Sequence, residues 1–250
     1  MALVTAAGAG IGLAVVEALV REGARVCAAD RDLARLAGIQ AVDALEADLL
    51  AAGAGARIVE QTVERHGRVD LLVNCLGGPS GREDGFLALD DDAWGAAFER
   101  NFMGTVRATR AAIPHMQRQG GGSIVTIASD LARQPDPRFV DYAAAKAALL
   151  SLSKSLSIEF GPLIRANVVS PGPTRTPGLV AHFDDTVGPA LGISGEEAMR
   201  RYVQEVRTMP SDRLGTPEEV ANVVVFLASG AAAQATGSEW VVDGGVRKQA

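Results

Sequence analysis

Seven short runs rich in apolar and β-branched residues alternate with longer stretches of helical period, and no other feature of this chain limits its possible folds so sharply. The runs are Ala2 to Thr5, Arg25 to Ala29, Ala41 to Ala47, Val69 to Cys75, Ser123 to Ala128, Arg165 to Ser170 and Glu239 to Val242. Helical period fills Ile11 to Arg21, Asp32 to Gly38, Ala54 to His66, Asp91 to Gln119, Tyr142 to Phe160 and Pro217 to Ser229. Strands that take turns with helices pair in parallel. The expectation is therefore an α/β protein with one doubly wound, seven-stranded parallel sheet and helices on both faces. The best-marked helix start is Thr216-Pro217-Glu218-Glu219, with threonine as N-cap, proline first in the helix and glutamate where it closes a capping box.

Two places break the rhythm. Gly77 to Gly85 is a loop rich in glycine and proline after the fourth strand. Pro171 to Pro210 is too long for an ordinary connection, and residues 170–210 are read as a substrate lid with helices of its own, one of them over Gly195 to Thr208. Length suits a single catalytic domain over 1–250, since 250 residues are near the most that one core serves. With 48% hydrophobic residues, disorder is excluded. A net charge of −6 disfavours nucleic acid as a partner. No apolar run is long enough for a membrane span, and glycines interrupt the uncharged N-terminus, so a cytoplasmic protein is expected. Cys27 and Cys75 lie in strand-like runs and read as free, buried thiols. His66, His115 and His182 have no ligand spacing with them, and no metal site is expected.

The chemistry gathers at a few turns. The first strand enters Thr5-Ala6-Ala7-Gly8-Ala9-Gly10-Ile11-Gly12 and a helix follows, so that small residues let backbone N–H groups approach a pyrophosphate at the helix start. On the glycines alone, a tight structural turn explains the run equally well. Asp30 closes the second strand 18 residues after Gly12, where a carboxylate can accept from both hydroxyls of an adenosine ribose and repel a 2′-phosphate. This favours NAD over NADP, with Arg31 as the opposing feature; the structural alternative for Asp30 is a cap on the Asp32 helix. Tyr142 and Lys146 are four apart, which puts phenol and ammonium on one helical face, and the cation is expected to lower the tyrosine pKa for acid/base work. Ser129, thirteen residues before Tyr142, ends the fifth strand at the same sheet edge. Without that context the pair reads as a surface contact and the serine as a turn former. Asp90-Asp91-Asp92 reads as a solvated helix start, and Met103 and Met116 as core.

Taken in order, these motifs resemble those of the classical short-chain dehydrogenase/reductase family over essentially the whole chain. The glycine motif matches Thr5 to Gly12, the N-N-A-G motif matches Asn74-Cys75-Leu76-Gly77, and the serine and Y-x-x-x-K match Ser129, Tyr142 and Lys146. Asn101, the stretch Pro171 to Thr176, and Thr236-Gly237 leading to Asp243-Gly244-Gly245 complete the likeness. Ala6, Cys75 and Leu76 depart from it. The resemblance implies a Rossmann-type fold and transfer of a hydride between NAD(H) and a secondary alcohol or ketone. Tyr142 would be the general acid/base, Ser129 would hold the substrate oxygen, Lys146 would bond the nicotinamide ribose, and Asn101 would hold a relay water, with side-chain kinking as its structural alternative. The resemblance further implies a cofactor cradle of Ala6, Ala9, Gly10, Ile11 and Gly12. It assigns Asp30 to the adenosine ribose, Asp48 (otherwise a turn cap) and Leu49 to the adenine, Asn74 to the adjoining ribose region, and Thr174 and Thr176 to carboxamide and phosphates. Substrate contacts are expected from Gly78 to Phe86, Asp130 to Phe139 and Leu179 to Phe183, with Pro135, Phe139, Leu179 and Phe183 as an apolar wall and Asp130, Arg133 and His182 as polar selectors. A homotetramer or homodimer is the implied assembly. The competing readings are an NADPH-dependent 3-oxoacyl-thioester reductase, an isomerase or lyase that returns the hydride, and a dinucleotide sensor without turnover.

Overall fold

The computed structural model describes residues 1–80 and 85–248. Seven parallel strands form one sheet: β1 (Ala2–Thr5), β2 (Val26–Asp30), β3 (Val42–Glu46), β4 (Leu71–Asn74), β5 (Gly122–Ile127), β6 (Ile164–Pro171) and β7 (Glu239–Val242). Their order is β3-β2-β1-β4-β5-β6-β7. β1 pairs with β2 on one side, Leu3 beside Cys27, and with β4 on the other, Leu3 beside Leu72. All seven predicted strands are present, β1 and β7 with the expected ends and the others displaced by at most two residues.

Side chains alternate across the sheet and divide the core in two. Val4, Val26 and Val73 face α1 (Gly10–Arg21) and, farther along the chain, Pro217–Ala228, through Val15, Val16, Val220 and Val224. Leu3, Leu72 and Ile124 face α2 (Ala54–His66) and Gly104–Arg118, through Ile58, Ala112 and Met116. Thr216 accepts from the Glu219 N–H while the Glu219 carboxylate accepts from the Thr216 N–H, the predicted capping box. Among the described residues no helix is long and apolar enough to cross a membrane.

Three predicted helices come out differently. Asp32 to Gly38 is a series of turns: the Asp32 carboxylate accepts from the Ala34 N–H at 2.9 Å, and this side-chain turn replaces the backbone ladder. Asp91 to Gln119 divides into α3 (Asp91–Phe98), a π-helical turn at Glu99–Met103, and α4 (Gly104–Arg118). Asp90 caps α3 by accepting from the Ala93 N–H, in keeping with a solvated helix start. After α5 (Val140–Phe160) and β6, the segment expected to form a lid carries α6 (Pro177–His182), a π turn at Phe183–Val187, α7 (Gly188–Leu191) and α8 (Gly195–Arg201). The helix expected over Gly195 to Thr208 continues from α8 only as a second π turn, Tyr202–Val206, before α9 (Pro217–Ala228). Phe183, Met199, Val203 and Met209 give this segment a small core of its own.

Candidate active site

The cleft lies at the carboxyl ends of the strands, where the chain leaves β1 for α1 on one side and β4 for the next crossover on the other, the usual position for ligands in open α/β sheets. Its volume is about 750 Å³. Ala6, Ala9, Gly10, Ile11, Gly12, Asp30, Asp48, Leu49, Ser129, Tyr142, Lys146, Thr174 and Thr176 all line it.

At one end the glycine turn has little room for side chains. A Cβ on Gly12 would sit 2.0 Å from the Ala6 carbonyl oxygen, and one on Gly10 would meet Thr176 at 3.2 Å. The residue before α1, Ala9, offers no side-chain cap, so the first N–H groups of the helix are left to face the cleft. Asp30 accepts from the Gly8 N–H at 2.8 Å and from the Asp32 N–H at 3.1 Å. It braces the turn while lining the cleft, and no helix stands after it to be capped. Asp48 both lines the cleft and accepts from the Leu50 N–H at 3.0 Å. A turn whose glycines leave no room for a side chain, an uncapped helix start and two carboxylates fit a dinucleotide's pyrophosphate and ribose hydroxyls.

At the other end α5 presents Tyr142 and Lys146 on one face, with the Lys146 Nζ 5.8 Å from the centroid of the Tyr142 ring. Ser129 follows β5 and lines the cleft with Tyr142; its hydroxyl donates to the Asp130 carboxylate at 3.0 Å and accepts from the Leu131 N–H at 3.2 Å. Lys146 is buried and donates to the Ile127 carbonyl at 3.0 Å and the Leu76 carbonyl at 3.4 Å. The expected depression of the tyrosine pKa is not found in the protein alone. Burial pushes Tyr142 up to about 12, opposed by the neighbouring Ser129 hydroxyl and reinforced by the Asp130 charge. Burial also brings Lys146 down to about 8. Desolvation is the leading cause of the shift in both groups.

Two predicted residues stand behind the cleft wall. Asn74 is buried, and its amide donates to Thr109 Oγ1 at 3.1 Å. Asn101, in the first π turn, donates to the Ala97 carbonyl at 3.0 Å and accepts from the Gly78 N–H at 2.8 Å. It thereby holds the Gly77-Gly78 backbone at the cleft. Thr174 Oγ1 donates to the Gly172 carbonyl, and Thr176 caps α6. Sequence reasoning missed Arg100, which lines the cleft from the π turn, because its motif position carries no charge signal.

The expected substrate wall is corrected in part. Phe183 is buried in the core of the expected lid, 5.3 Å ring to ring from Tyr202, and does not reach the cleft. Arg133 pairs with Glu239 at 3.0 Å, and Asp130 is buried against Arg207. Residues 81–84 of the predicted Gly78 to Phe86 segment lie outside the described residues. Behind the sheet, Cys27, Asp43 and His66 converge although their spacing in the sequence gives no ligand pattern. Two of the three are already engaged: His66 pairs with Asp43 at 2.8 Å, and Asp43 also faces Arg65 at 3.9 Å.

Residues 5–247 match the family model described as enoyl-(acyl carrier protein) reductase. A 2-keto-3-deoxy-L-fuconate dehydrogenase from Xanthomonas campestris is 35% identical over 248 residues, 97% of this chain and 78% of the relative. A 7alpha-hydroxysteroid dehydrogenase from Bacteroides fragilis is 32% identical, covering 98% of this chain and 93% of the relative. Among solved structures, L-sorbose reductase from Gluconobacter frateurii, complexed with NADPH and L-sorbose, superposes with a TM-score of 0.92 at 32% identity, over 100% of this chain and 97% of that one. The strand order, the glycine turn, the Ser129, Tyr142 and Lys146 group and these matches agree: the chain belongs to the short-chain dehydrogenase/reductase family of oxidoreductases, which bind a nicotinamide dinucleotide.

Proposed function

We propose that this protein oxidises a secondary alcohol or reduces its ketone, with NAD(H) as the preferred dinucleotide. The observation that carries the proposal is one cleft lined by Ser129, Tyr142 and Lys146 at one end and by the uncapped start of α1 at the other. The dinucleotide, when bound, supplies the two-electron acceptor or donor. Ala6, Ala9, Gly10, Ile11 and Gly12 would hold its phosphates, Asp30 the adenosine ribose, Asp48 and Leu49 the adenine, and Thr174 and Thr176 the nicotinamide half. Asn74 and Asn101 act from behind the wall, Asn101 by fixing Gly78.

Tyr142 is the general acid/base. With its pKa near 12 the phenol holds its proton at neutral pH and can give it to a carbonyl oxygen; a lysine charge at close range helps it to do so. Lys146, with a pKa of about 8, is mostly protonated at neutral pH and supplies that charge. Ser129 holds the substrate oxygen beside the phenol. Replacing Tyr142 by Phe is expected to abolish turnover and leave the NADH dissociation constant within about twofold, as befits loss of a group used only in the chemical step. Turnover that survives the replacement overturns the assignment.

A second reading, an NADPH-dependent reductase of 3-oxoacyl thioesters, draws on Arg31 at the cleft and on the enoyl-(acyl carrier protein) reductase family model. Turnover with NADH against NADPH, over a screen of secondary alcohols and ketones that includes sugars, steroids and acyl thioesters, separates the two. The Asp30 carboxylate disfavours a 2′-phosphate, and a preference for NADPH would sink that argument. We further infer a cytoplasmic homotetramer or homodimer. The outer edge of β7, which pairs only with β6 among the described residues, and the exposed Ile158, Phe226 and Val241 support the association.

A further inference from the structure

On the sheet face that α2 covers, away from the cleft, three donors from three elements meet. Cys27 on β2 and Asp43 on β3 are partners in the parallel register, so their side chains leave the sheet side by side on one face. The last residue of α2, His66, comes down beside them. One ligand atom from each of the three lies within 4.8 Å of those of the other two. His66 Nε2 donates to Asp43 Oδ2 at 2.8 Å, while Arg65 stands 3.9 Å from the other carboxylate oxygen, Oδ1. A surface pair of imidazole and carboxylate needs nothing more. The fully buried thiol of Cys27 beside that pair is what turns it into a ligand set.

Thiolate, imidazole and carboxylate are the ligand types that Zn2+ takes, at about 2.0–2.3 Å each. A tetrahedral ion keeps its ligand atoms about 3.3–3.8 Å apart, so His66 and Asp43 need to part slightly and the remaining distances to close by no more than about 1 Å. Side-chain rotation covers that range. The charges also balance, since a thiolate and a carboxylate neutralise the ion in a place where Cys27 has no water to screen it. On binding, the Cys27 thiol gives its proton to solvent and keeps the electron pair that bonds the metal, while His66 stays neutral with its hydrogen on Nδ1. Arg65 retains Oδ1 of Asp43, opposite the oxygen that would turn to the ion. The His66 and Asp43 side chains are 12% and 44% exposed, which leaves an entry path and room for a water as fourth ligand on the Asp43 side. The carbonyl end of α2, at His66, adds a field that favours a cation.

We propose that Cys27, Asp43 and His66 form a binding site for Zn2+, tying the terminal strand β3 and the end of α2 to β2. The site stands apart from the cleft and does not depend on the oxidoreductase reading.

Co2+ is the probe, added to the full chain after treatment with a chelator, because a thiolate bound to it gives a charge-transfer band in the near ultraviolet. One equivalent should produce the band, Zn2+ should displace it, and Mg2+, which prefers oxygen ligands, should leave it unchanged. The chain has two cysteines, so Cys27→Ala should abolish the band and Cys75→Ala should keep it. His66→Gln and Asp43→Asn should each weaken Co2+ binding by at least about tenfold, the loss that follows removal of even an outer partner of a metal ligand. Zn2+ should raise the Tm of the wild type and not that of His66→Gln. Absence of the band, its survival in Cys27→Ala, or its displacement by Mg2+ overturns the proposal. If Cys27→Ala does not fold, undiminished Co2+ affinity in His66→Gln and Asp43→Asn does so instead.

Discussion

Ala6 stands where the family's glycine motif has its first glycine, and its φ of 50° shows what the exchange costs. In the left-handed region a Cβ crowds the following carbonyl by about 1–2 kcal/mol, whereas glycine enters freely but loses about 0.5–1 kcal/mol more entropy on folding. Ala6→Gly should therefore stabilise the protein by roughly 0.5–1 kcal/mol, seen as a raised Tm in the absence of cofactor. An unchanged or lower Tm means that neighbouring contacts already compensate for the strain. The departure was legible in the sequence, but the sign of its effect required the dihedral angle. The same is true of the Tyr142 and Lys146 pair. Spacing places both groups on one face, yet only the fold reveals that burial dominates their protonation. Lys146 falls from an ordinary 10.5 to about 8, so between those values the unfolded chain binds more protons and stability rises with pH. Tyr142, raised from 10 to about 12, works against the rise above pH 10. Urea unfolding at pH 8 and pH 10 should show a gain of up to about 3 kcal/mol that is absent in Lys146→Met; equal gains in both proteins would assign the effect to other groups.

Helices were readable where period and caps agreed. Ala54–His66 and the capped start of α9 at Pro217 were found from sequence alone, since apolar spacing and the Thr216 to Glu219 box point the same way. Asp91 to Gln119 has an unbroken helical period as well, and sequence cannot show the extra residue of the π turn, because its cause is a contact distant in the chain. Asn101 returns one bond to the Ala97 carbonyl within its own helix and receives another from the Gly78 N–H after β4. Tertiary structure decided there what local preference left open. Asp32 to Gly38 failed for the opposite reason, a local one: the Asp32 side chain imitates a turn of backbone. Asn101→Ala removes both bonds and leaves the Gly78 N–H without its acceptor, which costs about 1–3 kcal/mol of stability. Dinucleotide affinity should fall with it, since Gly77 and Gly78 line the cleft; thermal unfolding together with NADH titration checks both. A stability loss with full affinity would restrict Asn101 to holding the helix.

Across the whole molecule, parallel connectivity concentrates chemistry at one rim of the sheet. Crossovers on both sides of β1 bring Gly10, Ser129 and Thr174 to one cleft from sites far apart in the chain. That rim was predictable, because alternating strands and helices allow few arrangements. The substrate end was not, because the expected lid packs Phe183 inward on its own core and commits Asp130 to Arg207. The opposite side of the molecule poses the question of assembly. Among the described residues β7 pairs only with β6, Val241 is exposed on it, and Phe226 stacks edge-on against Trp240 at 5.4 Å, partly open to solvent. Ile158, in the last turns of α5, is 72% exposed. Two separate apolar faces are what a closed symmetric assembly with two kinds of contact requires, whereas one face would yield only a dimer. Light scattering should accordingly find about four copies of the 25.9 kDa chain. Ile158→Glu places a charge in the α5 face alone and should leave pairs held through β7, while Ile158→Glu combined with Val241→Glu should leave single chains. A wild-type chain that scatters as a monomer would remove both interfaces at once.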